Sequence, residues 1–325
     1  MMPLLAPSKQ RSAQITWRFD LPDQKSKLAL WFQAVRAFSF TASAVPVLVG
    51  SFLAWLEMES GFNWGIFVIA LFAGVIYPAA TNLISDYFDF IKGVDTKETY
   101  GSSKILPSGL MQPKQILRGS IVLWVVGIAL GLWLVYLRGM PILILGIIGF
   151  IGGIFYTADP IGTKYRGLGE PWVFLMMGPL MVLGGYLVQG LPFGWHVIWV
   201  SLPVGFLVAA ILQANDFRDI EDDARAGFKT ASIAGGRKFA AFFYYFLVIG
   251  AYLSVFIMVA AKTISLWSLI VLLTLPLALK LMKAINPKLE KTDPSLALVD
   301  VQTAQFHFLF GILLTLSFVL NKFVA

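Results

Sequence analysis

Nine stretches of mostly apolar residues, separated by short polar connections, constrain this chain more than any other feature. They lie near residues 37–57, 63–84, 116–137, 140–157, 171–189, 196–214, 239–261, 264–282 and 306–323. A run of about 20 such residues spans the hydrocarbon core of a bilayer as an α-helix, and within the bilayer a helix satisfies its own backbone polar groups. The expected fold is therefore an all-α membrane protein, a bundle of nine transmembrane helices. Composition agrees: of 325 residues 58% are hydrophobic and 13% charged, far from the balance of a soluble domain.

The basic residues give the bundle a direction. With the N-terminus cytoplasmic, 22 of the 25 Lys and Arg fall on the cytoplasmic side, and only Arg138, Lys262 and Lys322 fall on the other. The positive-inside rule thus favours an N-terminus in the cytoplasm and a C-terminus outside, as an odd number of spans requires. The net charge of +7 is explained by this topology, so nucleic acid is not an expected partner. The chain has no cysteine, which excludes disulfides, zinc–thiolate sites, iron–sulfur clusters and cysteine nucleophiles. Residues 1–27 read as a polar, basic cytoplasmic arm without the apolar core of a secretory signal, and residues 28–325 as one membrane domain. Within it, Leu28–Arg36 (LALWFQAVR) suits either a short helix at the membrane interface or an extension of the first span.

Two acidic clusters lie where apolar segments run into polar loops on the cytoplasmic side. Asn82, Asp86 and Asp89, at i, i+4 and i+7, share one helical face, and Asp216, Asp219 and Asp223, at i, i+3 and i+7, share another. Carboxylates at a membrane edge are costly unless used. Without nearby His or Cys, these sets read as oxygen-only sites for a hard divalent cation, and Mg²⁺ usually enters such sites with phosphate oxygens, which points to a diphosphate substrate. The competing role is helix capping or ion pairing with Lys92, Lys97, Arg218 and Arg225. Asp95 joins the first cluster if the chain folds back after Gly93, whereas Glu221 and Asp222 are expected to turn away from their cluster's face. His196 and His307 stand alone and read as interfacial or packing residues.

The motifs Asn82-x-x-x-Asp86-x-x-Asp89 and Asp216-x-x-Asp219-x-x-x-Asp223 closely resemble the two aspartate-rich motifs of the UbiA superfamily of intramembrane prenyltransferases. Lys104-Ile-Leu-Pro-Ser-Gly109 is similar to that family's basic-Pro-Gly segment, with Lys where Arg is commoner. Tyr156–Glu170 (YTADPIGTKYRGLGE) and Asn215–Asp223 look most like the branch that prenylates 1,4-dihydroxy-2-naphthoate in menaquinone synthesis. The resemblance implies Mg²⁺-dependent transfer of a polyprenyl group from an allylic diphosphate to an aromatic acceptor, in the cell membrane with the site facing the cytoplasm. It makes Asn82, Asp86, Asp89, Asp216, Asp219 and Asp223 the metal ligands, with Asp86 and Asp219 central to catalysis. Lys104 and Lys164 become diphosphate-binding residues by similarity, joined by Arg36 and Arg166 on the same side; Tyr156 either orients the acceptor or sits in the interfacial aromatic belt.

Chemistry supports the resemblance independently, because an allylic diphosphate ionises once its departing charge is stabilised and no side-chain nucleophile is needed. The polyprenyl tail needs an apolar groove, for which Gly146, Gly149, Gly152 and Gly153 provide either room or close helix packing. Other acceptors, 4-hydroxybenzoate and homogentisate, stay open. A cation-coupled transporter is the alternative of another class. The Asp-Gly-x-x-Ala-Arg signature of phosphatidyl-alcohol transferases is absent, since Tyr87 follows Asp86 and Ala224 follows Asp223.

Overall fold

The long apolar runs become long helices. The computed structural model describes residues 26–93, 95–96, 103–156, 160–225, 227, 229–289 and 293–324, and these contain helices and turns but no strand. The expected N-terminal arm lies outside them apart from Ser26 and Lys27, as does Lys97. A short helix α1 (Lys27–Ala34) precedes α2 (Phe40–Glu57), α3 (Trp64–Ile91), α4 (Pro113–Arg138) and α5 (Met140–Phe155). Next come α6 (Gly169–Leu175), a π-helical turn (Met176–Leu180) and α7 (Met181–Leu187), which together make one apolar rod. Then follow α8 (Trp195–Arg225), α9 (Ala231–Ala260), a three-ten run (Leu266–Thr274) continuing into α10 (Leu275–Ala284), and α11 (Val299–Val324).

Among the described residues, eight of these rods are long and apolar enough to cross a membrane, and the ninth, α5, is shorter at 16 residues. The chain is an integral membrane protein. Its flanks expose Val125, Trp133, Phe242, Leu253 and Leu273, each more than half exposed, a surface that suits lipid and would aggregate in water.

The two helices carrying the acidic clusters outrun their apolar stretches. α3 continues past residue 84 to Ile91 and stops before Gly93, whose φ of 73° admits the left-handed conformation common just past helix ends. α8 continues past residue 214 to Arg225, so both acidic sets lie on the last turns of rigid helices. α8 is the buried axis of the bundle, with α9, α11, α6 and α2 packed around it.

Close approach depends on glycine at a few points. A Cβ on Gly178 would stand 2.6 Å from the Gly205 Cα, and one on Gly185 would stand 2.7 Å from the Val47 carbonyl oxygen. These contacts draw the α6–α7 rod against α8 and α2. Pro179 lies in the π-helical turn of that rod, where the ladder is already widened. α1 exposes Leu28 and Phe32, buries Ala34 and lays Trp31 on α4 at Gly119, so Lys27–Ala34 forms a separate short helix and not an extension of the first span.

Candidate active site

A cavity of about 1070 Å³ opens among α2, α3, α4, α5, the α6–α7 rod and α8. Its head is polar and its stem apolar. Into the head point Asn82, Ser85 and Asp89 from α3, and Asn215, Asp216, Arg218, Asp219, Asp222 and Asp223 from α8. Arg36 from the α1–α2 link, Asp95, Tyr156, Lys164 and Asp300 complete it. The two aspartate sets, 130 positions apart between Asp86 and Asp216, thus belong to one site.

Three of the deeply buried carboxylates are matched to donors. Asp89, 1% exposed, accepts from Lys164 Nζ at 2.8 Å and from the Tyr165 hydroxyl, with Ser85 Oγ at 3.4 Å. Asp219 accepts from Arg218 Nε and Nη2, both at 2.8 Å, and from Asn215 Nδ2 at 3.0 Å. Arg218 also reaches Asp300 on α11 at 2.7 Å. Asp86 pairs with Arg36 and accepts from the Ser103 backbone N–H at 3.3 Å. Asn82 donates to the Val35 carbonyl and to Ser39 Oγ, both at 3.2 Å, which locks the α1–α2 link over α3. Glu170, 1% exposed, keeps its Oε1 buried without a hydrogen-bond partner.

The charges in the loops follow from this packing. Burial would discharge Lys164, but Asp89 outweighs it and holds the ammonium well above the ordinary lysine range. Burial likewise disfavours charge on Arg36, yet Asp86 raises its pKa, and its backbone takes the left-handed conformation at φ 54°. Asp95 is pushed up to about 6 by burial and then by the negative charges of Asp89 and Asp86.

Several expectations need correction. Asp86 is on the expected face but is not among the cavity-lining residues, because Arg36 covers it. Lys104 sends its Nζ towards the Thr96 carbonyl at 3.4 Å, and Arg166 is exposed and donates to the Pro160 carbonyl at 2.6 Å; neither lines the cavity. Asp222 does line it, contrary to expectation, since i+3 from Asp219 is only a 60° offset on a helix. Glu221 faces away, 3.6 Å from Arg237. The chain does fold back after Gly93: the Asp95 N–H donates to the Asp89 carbonyl at 3.2 Å. Ion pairing, set out above as a competing role, does occur: Arg218 holds Asp219 and Arg225 holds Asp222. His196 pairs with Glu57 at 2.9 Å, and His307 is buried; neither histidine lines the cavity. Tyr165, Asn215, Glu170 and Asp300 are additions to the expected set of site residues. The first three sat inside the quoted motifs, and Asp300 carried the same signal as the others, an acid at the start of a span.

For a hard cation the donor chemistry fits: Asp89, Asp95, Asp216, Asp219, Asp222 and Asp223 offer carboxylate oxygens in one cavity, and Asp95 Oδ2 is buried without a hydrogen-bond partner. Among the described residues no three acidic side chains converge as a ready-made metal centre, because Arg36, Lys164, Arg218 and Arg225 draw four carboxylates aside. Arg36 Nε is also buried without a partner, a donor suited to a phosphate oxygen.

An acidic and cationic head on a long apolar stem, inside a membrane bundle, suits an amphiphilic anion. Residues 43–320 match the UbiA prenyltransferase family. The chain is 30% identical to a 1,4-dihydroxy-2-naphthoate octaprenyltransferase of Bacillus subtilis, over 98% of this chain and 96% of that protein. It is 29% identical to human UbiA prenyltransferase domain-containing protein 1, over 97% and 88%. In fold it resembles a UbiA homologue from Archaeoglobus fulgidus bound to GPP and Mg²⁺, with a TM-score of 0.62 at 15% identity over 88% of this chain and 99% of that one. A digeranylgeranylglyceryl phosphate synthase gives 0.59 at 20% identity, over 91% and 98%. The chain belongs to the UbiA prenyltransferase family and is an intramembrane prenyltransferase. The match gives no support to the transporter alternative.

Proposed function

We propose that this enzyme transfers a polyprenyl group from its allylic diphosphate to 1,4-dihydroxy-2-naphthoate, with Mg²⁺ and with the site facing the cytoplasm. The observation that carries the reading is the joining of the two aspartate sets with Lys164 and Arg36 at the head of one apolar-stemmed cavity. The aromatic acceptor follows from the Bacillus relative and from the resemblance of Tyr156–Glu170. A nine-span topology with the N-terminus inside, taking α5 as a short span, places the head on the side where most basic residues lie.

The residues divide the work by charge. Asp89, Asp216, Asp219 and Asp223, with Asn82, would hold Mg²⁺, and bound Mg²⁺ supplies neutralisation of the charge developing on the departing diphosphate. Lys164 and Arg36 are cations already fixed at the head, and they bind and orient the phosphate oxygens that metal leaves free. Asp86 acts through Arg36 by holding its guanidinium in place. Tyr156, at the end of α5, borders both head and stem, where an aromatic acceptor would meet the allylic carbon. The carbon–oxygen bond breaks with its electron pair going to diphosphate, and the ring carbon bearing the carboxylate forms the new carbon–carbon bond. Loss of carbon dioxide then restores the aromatic ring, so no base is required.

The test is an acceptor panel. Purified protein with labelled polyprenyl diphosphate and Mg²⁺ should give product from 1,4-dihydroxy-2-naphthoate at least about tenfold faster than from 4-hydroxybenzoate or homogentisate. Preference for either of the others refutes the acceptor assignment but not prenyl transfer.

A further inference from the structure

Asp219 is tightly held for a metal ligand. Arg218 Nε donates to its Oδ1 and Arg218 Nη2 to its Oδ2, both at 2.8 Å, and Asn215 Nδ2 adds a bond to Oδ2 at 3.0 Å. A carboxylate offers about four acceptor positions, so Oδ2 is filled and Oδ1 keeps room for a cation. Arg218 itself is 4% exposed and lines the same cavity head. A lone guanidinium there would neutralise Asp219 and repel a divalent ion, and at this burial water screens the repulsion poorly.

Asp300 changes that balance from another helix. Its carboxylate accepts from Arg218 Nη1 at 2.7 Å, the nitrogen left over by the Asp219 pair. It stands in the first turn of α11, where a carboxylate gains from the helix N-terminus, and it also accepts from the Val301 N–H at 2.9 Å. The start of α11 is itself fixed: Leu296, just before it, and Val299 are fully buried, and Thr303 Oγ1 shares a hydrogen bond of 3.0 Å with the Tyr244 hydroxyl of α9. One guanidinium on α8 thus lies between carboxylates of two helices, and the three groups together keep a net negative charge.

We infer that Asp300, which lies outside both aspartate sets, is a positioning residue for the metal: by sharing Arg218 it leaves Asp219 negative enough to bind a divalent cation, and it fixes the guanidinium against which Asp219 is registered. This inference rests on the metal assignment made under the prenyl-transfer reading above. Asp300 acts through Arg218, so its contribution must vanish when Arg218 is removed.

The experiment is a double-mutant cycle read in metal affinity, with Mn²⁺ as a paramagnetic probe titrated into solubilised protein together with inorganic diphosphate. Asp300→Asn keeps an oxygen for Arg218 but loses the charge, and should raise the Mn²⁺ Kd at least about tenfold. In an Arg218→Gln background the same change should cost less than about threefold, because the cation that Asp300 offsets is gone. Glu221→Gln removes an outward-facing acid from α8 and should stay within about twofold. Kinetics add a second readout: Asp300→Asn should raise the Mg²⁺ concentration for half-maximal rate while kcat at saturating Mg²⁺ stays within about threefold, whereas a merely structural loss lowers kcat at every Mg²⁺ concentration. An unchanged Kd in Asp300→Asn overturns the inference, and should Arg218→Gln not fold, that variant still decides. An equal loss in both backgrounds also overturns it, since Asp300 would then be a direct ligand. A parent protein that binds no Mn²⁺ removes the inference and the metal assignment together. Absence of product with every acceptor, with the cycle as expected, refutes prenyl transfer alone.

Discussion

Asp89 is held at one carboxylate oxygen by Lys164 and at the other by Tyr165, so these three side chains form the best-fixed corner of the cavity head. Lys164→Met should lower kcat/KM for the prenyl diphosphate by about a hundredfold or more, because it removes the cavity-head cation proposed to bind the phosphates and takes one charged partner from Asp89. Lys164→Arg should recover part of that loss, and Glu221→Gln, on the outward face, should stay within about twofold; steady-state kinetics on the three variants checks all of this. Asp95 gives a pH prediction. Its folded pKa of about 6 stands above the ordinary 3.8 through burial and the nearby Asp89 and Asp86. The folded state therefore holds a proton that the unfolded chain releases, and stability falls as pH rises from about 4 through 6. Asp95→Asn removes this cost. Without added metal, it should stabilise the protein at pH 7 by an amount of the order of 1–2 kcal/mol, discounted for partial solvent contact, and have little effect at pH 4. Thermal melts in detergent at the two pH values decide it; equal effects at both contradict the assignment.

At the scale of elements, the site depends on helices that are rigid where they carry acids and closely packed where they carry glycine. Gly178→Leu would force a Cβ into Gly205 on α8, where backbone meets backbone and neither side can yield. A loss of about 2–3 kcal/mol is expected, read as a lower melting temperature, whereas Gly146→Leu should melt close to the parent. Long apolar runs made the helices legible, and the positions of both aspartate sets on helix ends were legible from i, i+3/i+4 and i+7 spacing. The ends of α3 and α8 were not, since hydropathy falls at residues 84 and 214 while the helices run on, and only backbone chemistry such as Gly93 marks the true stop. Asp222 was misjudged for a related reason: a carboxylate at i+3 borders the same face, and its inward turn depends on tertiary packing. Lys104 and Arg166 show the converse limit, because a basic residue beside a motif carries no record of where its side chain ends.

At the scale of the molecule, the cavity joins a charged head near the ends of α3 and α8 to an apolar stem that reaches Leu134 near the end of α4 and Val188 just past α7. Cysteines introduced singly at Ser108 and Thr263 of this cysteine-free chain should be labelled from opposite sides, Ser108 from the cytoplasm. Labelling of both from one side would contradict the nine-span topology. The pairing of the two distant aspartate sets was foreseeable from their common side, but the shape of the stem was not, because it depends on which apolar side chains of several helices line it. The central claim is that oxygen donors from both sets, acting with metal, release the diphosphate. The most direct measurement is diphosphate release and prenylated product with 1,4-dihydroxy-2-naphthoate, in excess chelator and after adding back Mg²⁺, for the parent, Asp89→Asn and Asp219→Asn. The account predicts no product in chelator, recovery with Mg²⁺ in the parent, and at least about a hundredfold lower turnover in both variants at normal expression. Full turnover in chelator, or parent-like rates in both variants, would contradict it.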